Sequence, residues 1–83
     1  MEIVQGRWYR IVVRFPWGAA KELVTASVVR EADGTVRWEW DDDFGFAAYV
    51  DCVIEETEHS LTGWGGGCCD VTVVITAVRP PGG

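Results

Sequence analysis

A net charge of −6 on 83 residues, with 48% apolar content and five tryptophans, describes one small core-forming domain outside the range of disordered chains. No stretch approaches the roughly 18 consecutive apolar residues of a membrane-spanning helix, and Met1-Glu2-Ile3-Val4 has neither the basic start nor the apolar run of a signal peptide. Three cysteines, Cys52, Cys68 and Cys69, are an odd number for a disulfide framework, so reduced thiols and a cytoplasmic setting are expected.

Residues 7–15 alternate as a half-buried strand does, with Tyr9, Ile11, Val13 and Phe15 on one face and Trp8, Arg10, Val12 and Arg14 on the other. Phe15-Pro16-Trp17-Gly18 ends it as a turn, because Pro fixes φ and Gly accepts positive φ. Residues 22–31 and 35–40 read as a hairpin closed by Ala32-Asp33-Gly34, with Gly34 in the left-handed position. With Glu31 opposite Thr35, Val28 meets Trp38 and Ala26 meets Trp40, so that Val24, Ala26, Val28, Val36, Trp38 and Trp40 share one side.

Residues 44–61 fit two descriptions. As a helix, Phe46, Tyr49, Val50, Val53, Ile54 and Leu61 form one apolar stripe, with Asp43 as a cap and Gly63 just past the end. As a strand, Phe44, Phe46, Ala48, Val50, Cys52 and Ile54 share a face, and the β-branched residues favour extension. Length and the glycine stop favour the helix, although Glu55, Glu56 and Glu58 near its C-terminus oppose the macrodipole. Gly63-Trp64-Gly65-Gly66-Gly67 is expected to be a loop, since so many glycines lose too much backbone entropy inside an element. Residues 69–78 form the last strand, with Cys69, Val71, Val73, Ile75 and Ala77 on one face.

The predicted order is β-β-β-α-β: an α+β, two-layer domain over residues 1–79, with an antiparallel sheet of about four strands covered by one helix. A five-stranded all-β barrel is the alternative. Residues 80–83 form a flexible Pro/Gly tail.

Charge is the sharpest functional feature. Residues 1–37 hold six Lys/Arg against four acids; residues 38–78 hold no Lys or Arg, yet contain Glu39, Asp41, Asp42, Asp43, Asp51, Glu55, Glu56, Glu58 and Asp70. Such a split creates a one-signed field over part of a small surface. On the helical reading Asp51, Glu55 and Glu58 line one stripe, and Asp41-Asp42-Asp43 adds to it. Rows of carboxylates at such spacings mimic a phosphate backbone and suit a Lys/Arg-lined groove; the same field repels nucleic acid itself. A plain solvated acidic face is the competing interpretation.

In length and in the acids of residues 39–58, the chain resembles the small acidic inhibitors of phages and other mobile elements, including anti-CRISPR and DNA-mimic proteins; bacterial toxin-immunity proteins have a similar profile. That resemblance implies a non-enzymatic protein docking on a basic partner surface, such as that of a nuclease or a CRISPR effector. From the negative field and the lack of an apolar span, no direct contact with nucleic acid or membrane is expected. The expected partner-binding residues are Asp41, Asp42, Asp43, Asp51, Glu55, Glu56, Glu58 and Trp64, the last because a Gly-flanked Trp at an acidic rim makes an interface anchor.

Other chemistry has less behind it. His59, Cys68 and Cys69, with Cys52 or Asp70, include zinc-ligand types but lack paired C-x₂₋₄-C spacing, and adjacent cysteines on a strand point to opposite faces, so no metal or cofactor is expected. The single His has no nucleophile at a recognisable spacing, and no phosphate-cradling glycine motif occurs, so no catalytic activity is expected. The ending Val78-Arg79-Pro80-Pro81-Gly82-Gly83 is similar to the tails of ubiquitin-like proteins and sulfur carriers. That similarity implies, as an alternative function, activation of the terminal carboxylate at Gly82-Gly83.

Overall fold

The computed structural model describes residues 1–39, 49–65 and 71–80. The described residues form eight strands and no helix: β1 (Tyr9–Arg14), β2 (Ala20–Thr25), β3 (Val29–Arg30), β4 (Val36–Arg37), β5 (Tyr49–Val50), β6 (Cys52–Glu56), β7 (Ser60–Gly65) and β8 (Val71–Ala77). They make a five-stranded sheet in the order β2-β1-β8-β7-β6, every neighbouring pair antiparallel, and a three-stranded sheet β3-β4-β5. This all-β architecture corrects the expected α+β fold. It is not a closed barrel either, because the larger sheet ends at β2 on one side and β6 on the other.

The alternation of β1 holds as expected: Tyr9, Ile11, Val13 and Phe15 are buried while Arg10 and Arg14 are exposed. The turn after it closes with the Gly18 N–H donating to the Phe15 carbonyl at 3.0 Å. The chain then returns as β2 along β1, pairing Ile11 with Leu23 and Arg10 with Val24. Residues 22–25 therefore belong to β1's sheet and not to the following hairpin, and Val24 faces solvent.

Only the far half of the expected second hairpin forms. Arg30 opposes Val36 and Val29 opposes Arg37, the register set by placing Glu31 opposite Thr35. The loop is held by the Gly34 N–H on the Glu31 carbonyl and the Thr35 N–H on Asp33 Oδ1, each at 2.9 Å, with Gly34 at φ 94°. The hydrogen bonds from Thr35 hold the Asp33 carboxyl below its usual range.

β8 lies at the centre of the larger sheet. Its inward residues pair with both neighbours: Ile75 lies opposite Ile11 and Leu61, and Val73 opposite Val13 and Gly63. The two sheets bury a common core, Tyr9, Ile11, Val13, Leu61, Val71, Val73 and Ile75 from one and Val28, Val36, Trp38 and Val50 from around the other. Met1 and Ile3 pack against its edge, and the Tyr9 hydroxyl, accepting the Val4 N–H at 2.8 Å, ties that segment down.

The helix expected over 44–61 is strand, turn and strand from residue 49 onward; residues 44–48 lie outside the described residues. A helical stripe would have to cross residues 55–60, which contain no apolar side chain. That polar run is a hairpin turn in which Thr57 Oγ1 accepts the Ser60 N–H at 3.0 Å and the His59 N–H at 3.3 Å. The glycine loop is corrected as well. Gly63, Trp64 and Gly65 belong to β7, and both of these glycines are buried. A Cβ on Gly65 would overlap the Tyr49 carbonyl oxygen, and one on Gly63 would lie 2.6 Å from the Cys52 carbonyl oxygen and overlap Val50. Glycine is needed there for close approach and not for a turn.

Gly65→Ala should therefore lower unfolding free energy by about 2 kcal/mol or more, since backbone must move to admit the methyl group. Gly34→Ala, strained in φ but with open space around it, should cost about 1 kcal/mol. Urea denaturation of the two variants checks the order; equal losses would contradict the close-packed crossing.

Candidate protein-binding edge

The acids expected to bind a partner, so far as they are described, fall on one hairpin, β6–turn–β7, and on the bend leading into it, whereas Glu39 lies apart, just after β4. Asp51 lies between β5 and β6, where its N–H donates to the Trp64 carbonyl at 3.1 Å; its side chain is exposed. Here the chain leaves the smaller sheet, where Tyr49 pairs with Arg37, and enters the larger one.

A bulge decides where the carboxylates of β6 point. Cys52 opposes Trp64 and Val53 opposes Gly63, but the register then shifts, so that Glu55 opposes Thr62 and Glu56 opposes Leu61. On β7, Leu61 and Gly63 face the core while Thr62 and Trp64 face outward. Cys52 and Glu55 consequently point out, and Val53 and Glu56 lie on the core side. Ile54 is the extra residue at the bulge and is 52% exposed. With no bulge, strict alternation would have put Glu55 on the core face.

Glu56, at the rim of the core, is met by two cations. The Met1 ammonium lies 2.7 Å from one carboxylate oxygen and Arg30 Nη1 3.1 Å from the other. The ammonium hydrogen bond first, and Arg30 with it, hold the Glu56 carboxyl below the usual range, against an opposing push from partial burial. Other acids of the described residues are also engaged. Glu22 pairs with Arg10 at 2.9 Å and Glu31 pairs with Arg37, whose guanidinium also lies 5.6 Å from the centre of the Tyr49 ring.

Asp51, Glu55 and Glu58 are exposed and, among the described residues, have no Lys or Arg partner. Glu58 stands at the hairpin tip beside His59, 4.0 Å from its Nε2. These three acids share one hairpin edge instead of a helical stripe, and Glu56, expected with them, points elsewhere. Trp64, expected in a loop, stands on the outer face of β7, 52% exposed and opposite Cys52. Trp17, the other loop Trp, is 61% exposed and stacks on Phe15 with ring centres 4.8 Å apart. Asp41, Asp42, Asp43, Gly82 and Gly83 lie outside the described residues.

Sequence reasoning missed two features. One is Ile54 as an exposed residue of the edge; the six polar residues that follow it were the available signal that the segment turns there. The other is a cleft of about 410 Å³ lined by Ser27, Val29, Glu31, Arg37, Trp38 and Glu39 on the smaller sheet. Its Ser27 hydroxyl already accepts the Glu39 N–H at 3.1 Å and bonds the Thr25 hydroxyl at 2.8 Å, which serves the fold. Among the described residues no three His, Cys, Asp or Glu side chains gather as metal ligands, and Cys68, Cys69 and Asp70 lie outside them. No helix of the described residues is long and apolar enough to cross a membrane. Compared with known proteins, the chain matches no family model, no curated protein and no solved structure.

The Glu56 cluster has a pH signature. Because its folded-state carboxyl titrates below the unfolded one, its contribution is complete above the unfolded value near 4.5 and is lost as pH falls through the lower folded value. Glu56→Gln should cost about 1 kcal/mol or less at pH 7, as partly exposed ion pairs do, and should flatten the stability loss below about pH 4.5. Urea titrations at pH 7, 5, 4 and 3 measure this; parallel curves for both proteins would deny the cluster any net effect.

Proposed function

We propose that this protein is a non-enzymatic interaction module whose acidic hairpin edge docks on a basic surface of a partner protein, of the Lys/Arg-rich kind that handles nucleic acid. One observation carries the reading: Glu22, Glu31 and Glu56 are each held by an arginine, whereas Asp51, Glu55 and Glu58, spaced along β6 and its two flanks, are each exposed with no Lys or Arg partner among the described residues. With Glu56 engaged by Met1 and Arg30, the docking edge runs from Asp51 through Glu55 to Glu58, with Trp64 opposite Cys52 on the adjoining strand. Charge of this kind steers encounter and sets partner choice, and its effect is screened beyond roughly 8 Å at physiological ionic strength. Exposed carboxylates at the rim of an interface add little affinity singly; their weight lies in being several and of one sign. The acids of residues 41–43 add to the same excess in the sequence.

The triple variant Asp51→Lys, Glu55→Lys, Glu58→Lys should bind an oligo-arginine peptide, and any basic protein recovered with the native chain, about ten- to a hundredfold more weakly at low salt. Its salt dependence should be correspondingly shallower. A control with the same net charge, Glu2→Lys, Glu22→Lys, Glu39→Lys, should lose less. Equal losses in both variants, or none in either, would reject a localised docking face.

A further inference from the structure

We propose that β6 receives a short, basic, extended segment of the partner as an added strand. This rests on the reading of Asp51, Glu55 and Glu58 as partner-facing and specifies how contact is made. β6 is the terminal strand of its sheet: it pairs with β7 on one side, and no other described strand pairs with it on the other. A terminal strand presents a row of backbone N–H and C=O groups that an incoming chain can pair with.

Among the described strands the sheet has two terminal ones, β2 and β6, and their side chains differ. β2 carries Lys21 beside Glu22, and Glu22 is held by Arg10. β6 carries Glu55 and Glu56 with Asp51 just before it and Glu58 just after, and among the described residues only Glu56 of these four meets an arginine or the Met1 ammonium. Charge complementarity therefore selects β6 and a basic occupant. It also disfavours a second copy of the chain there, since β6 against β6 would bring the carboxylates of two copies together.

Alternation sets the pattern of the incoming segment. Residues on its outer face fall beside Glu55 and Cys52, so a Lys or Arg suits the first position and an apolar side chain suits the second, with Cys52 between it and Trp64 of β7. Residues on its inner face fall beside Val53, which packs at the core's edge, so an apolar side chain extends the core there. Ile54, exposed at the bulge, offers a further apolar contact. The bulge bends the strand, so the added strand is about three to five residues long, at the short end of strand lengths.

The test uses the full chain and a fluorescein-labelled peptide of alternating Lys and Val, with a second peptide of identical charge carrying N-methyl groups on alternate amides. The unmodified peptide should bind at least tenfold more tightly, and its binding should slow hydrogen exchange at β6 amides. Equal affinities, with binding still lost in the Asp51→Lys, Glu55→Lys, Glu58→Lys variant, would overturn strand addition while leaving the acidic face standing. Equal affinities unaffected by that variant would remove both. Sedimentation velocity supplies the remaining outcome: a dimer dissociated by Glu55→Lys would make a second copy the occupant and overturn the proposal.

Discussion

The backbone from Tyr49 to Cys52 lies directly against β7, in contact that Gly63 and Gly65 permit because they have no Cβ. This crossing lets one stretch of chain serve two sheets. Tyr49 and Val50 complete the smaller sheet beside β4, and Cys52 to Glu56 complete the larger one beside β7. Val50 is fully buried at the junction, with its side chain over Gly63. The core between the sheets, the bend at Asp51 and the terminal place of β6 among the described strands all follow from that approach.

Stability and recognition use neighbouring atoms of this hairpin differently. The bulge after Val53 sends Glu55 to the water and Glu56 to the rim of the core, one residue apart. Glu56 meets the Met1 ammonium and Arg30 and so ties the start of the chain and the β3 strand to β6. Glu55 has no such partner among the described residues. An edge carrying carboxylates and a bulge resists pairing with copies of itself, a common protection of terminal strands. On the proposed reading the same two features favour a positively charged partner, so protection and recognition need not compete.

The central place of β8 has consequences for assembly. The strand closest to the C-terminus fills the gap between the β1–β2 pair and the β6–β7 hairpin, burying Val71, Val73 and Ile75 against both. Neither pair can bury its inner face fully until that last strand is in place. Folding therefore depends on contacts between the two ends of the chain, which slows it relative to a fold built from local hairpins.

Residue pattern alone determined the alternation of β1 and of residues 71–77, the Pro16–Gly18 turn, the Gly34 loop with its register, and the gathering of uncompensated acids after Trp38. Each depends on local geometry or composition: a period of two, a fixed φ, a positive φ, a count of charges. The helix expected over residues 44–61, which is strand and turn from residue 49 onward, came from weighing the segment's length and Gly63 as a stop. What that glycine answers to is the backbone at Cys52 and Val53, ten or eleven residues earlier in the chain, and no local rule contains such a contact. Which side of β6 each carboxylate takes was likewise hidden, because a single-residue bulge reverses alternation and is set by pairing with β7. Only tertiary structure could decide that Glu56 joins Met1 and Arg30 while Glu55 faces water, since charges distant in sequence become partners only through the packing of the sheets.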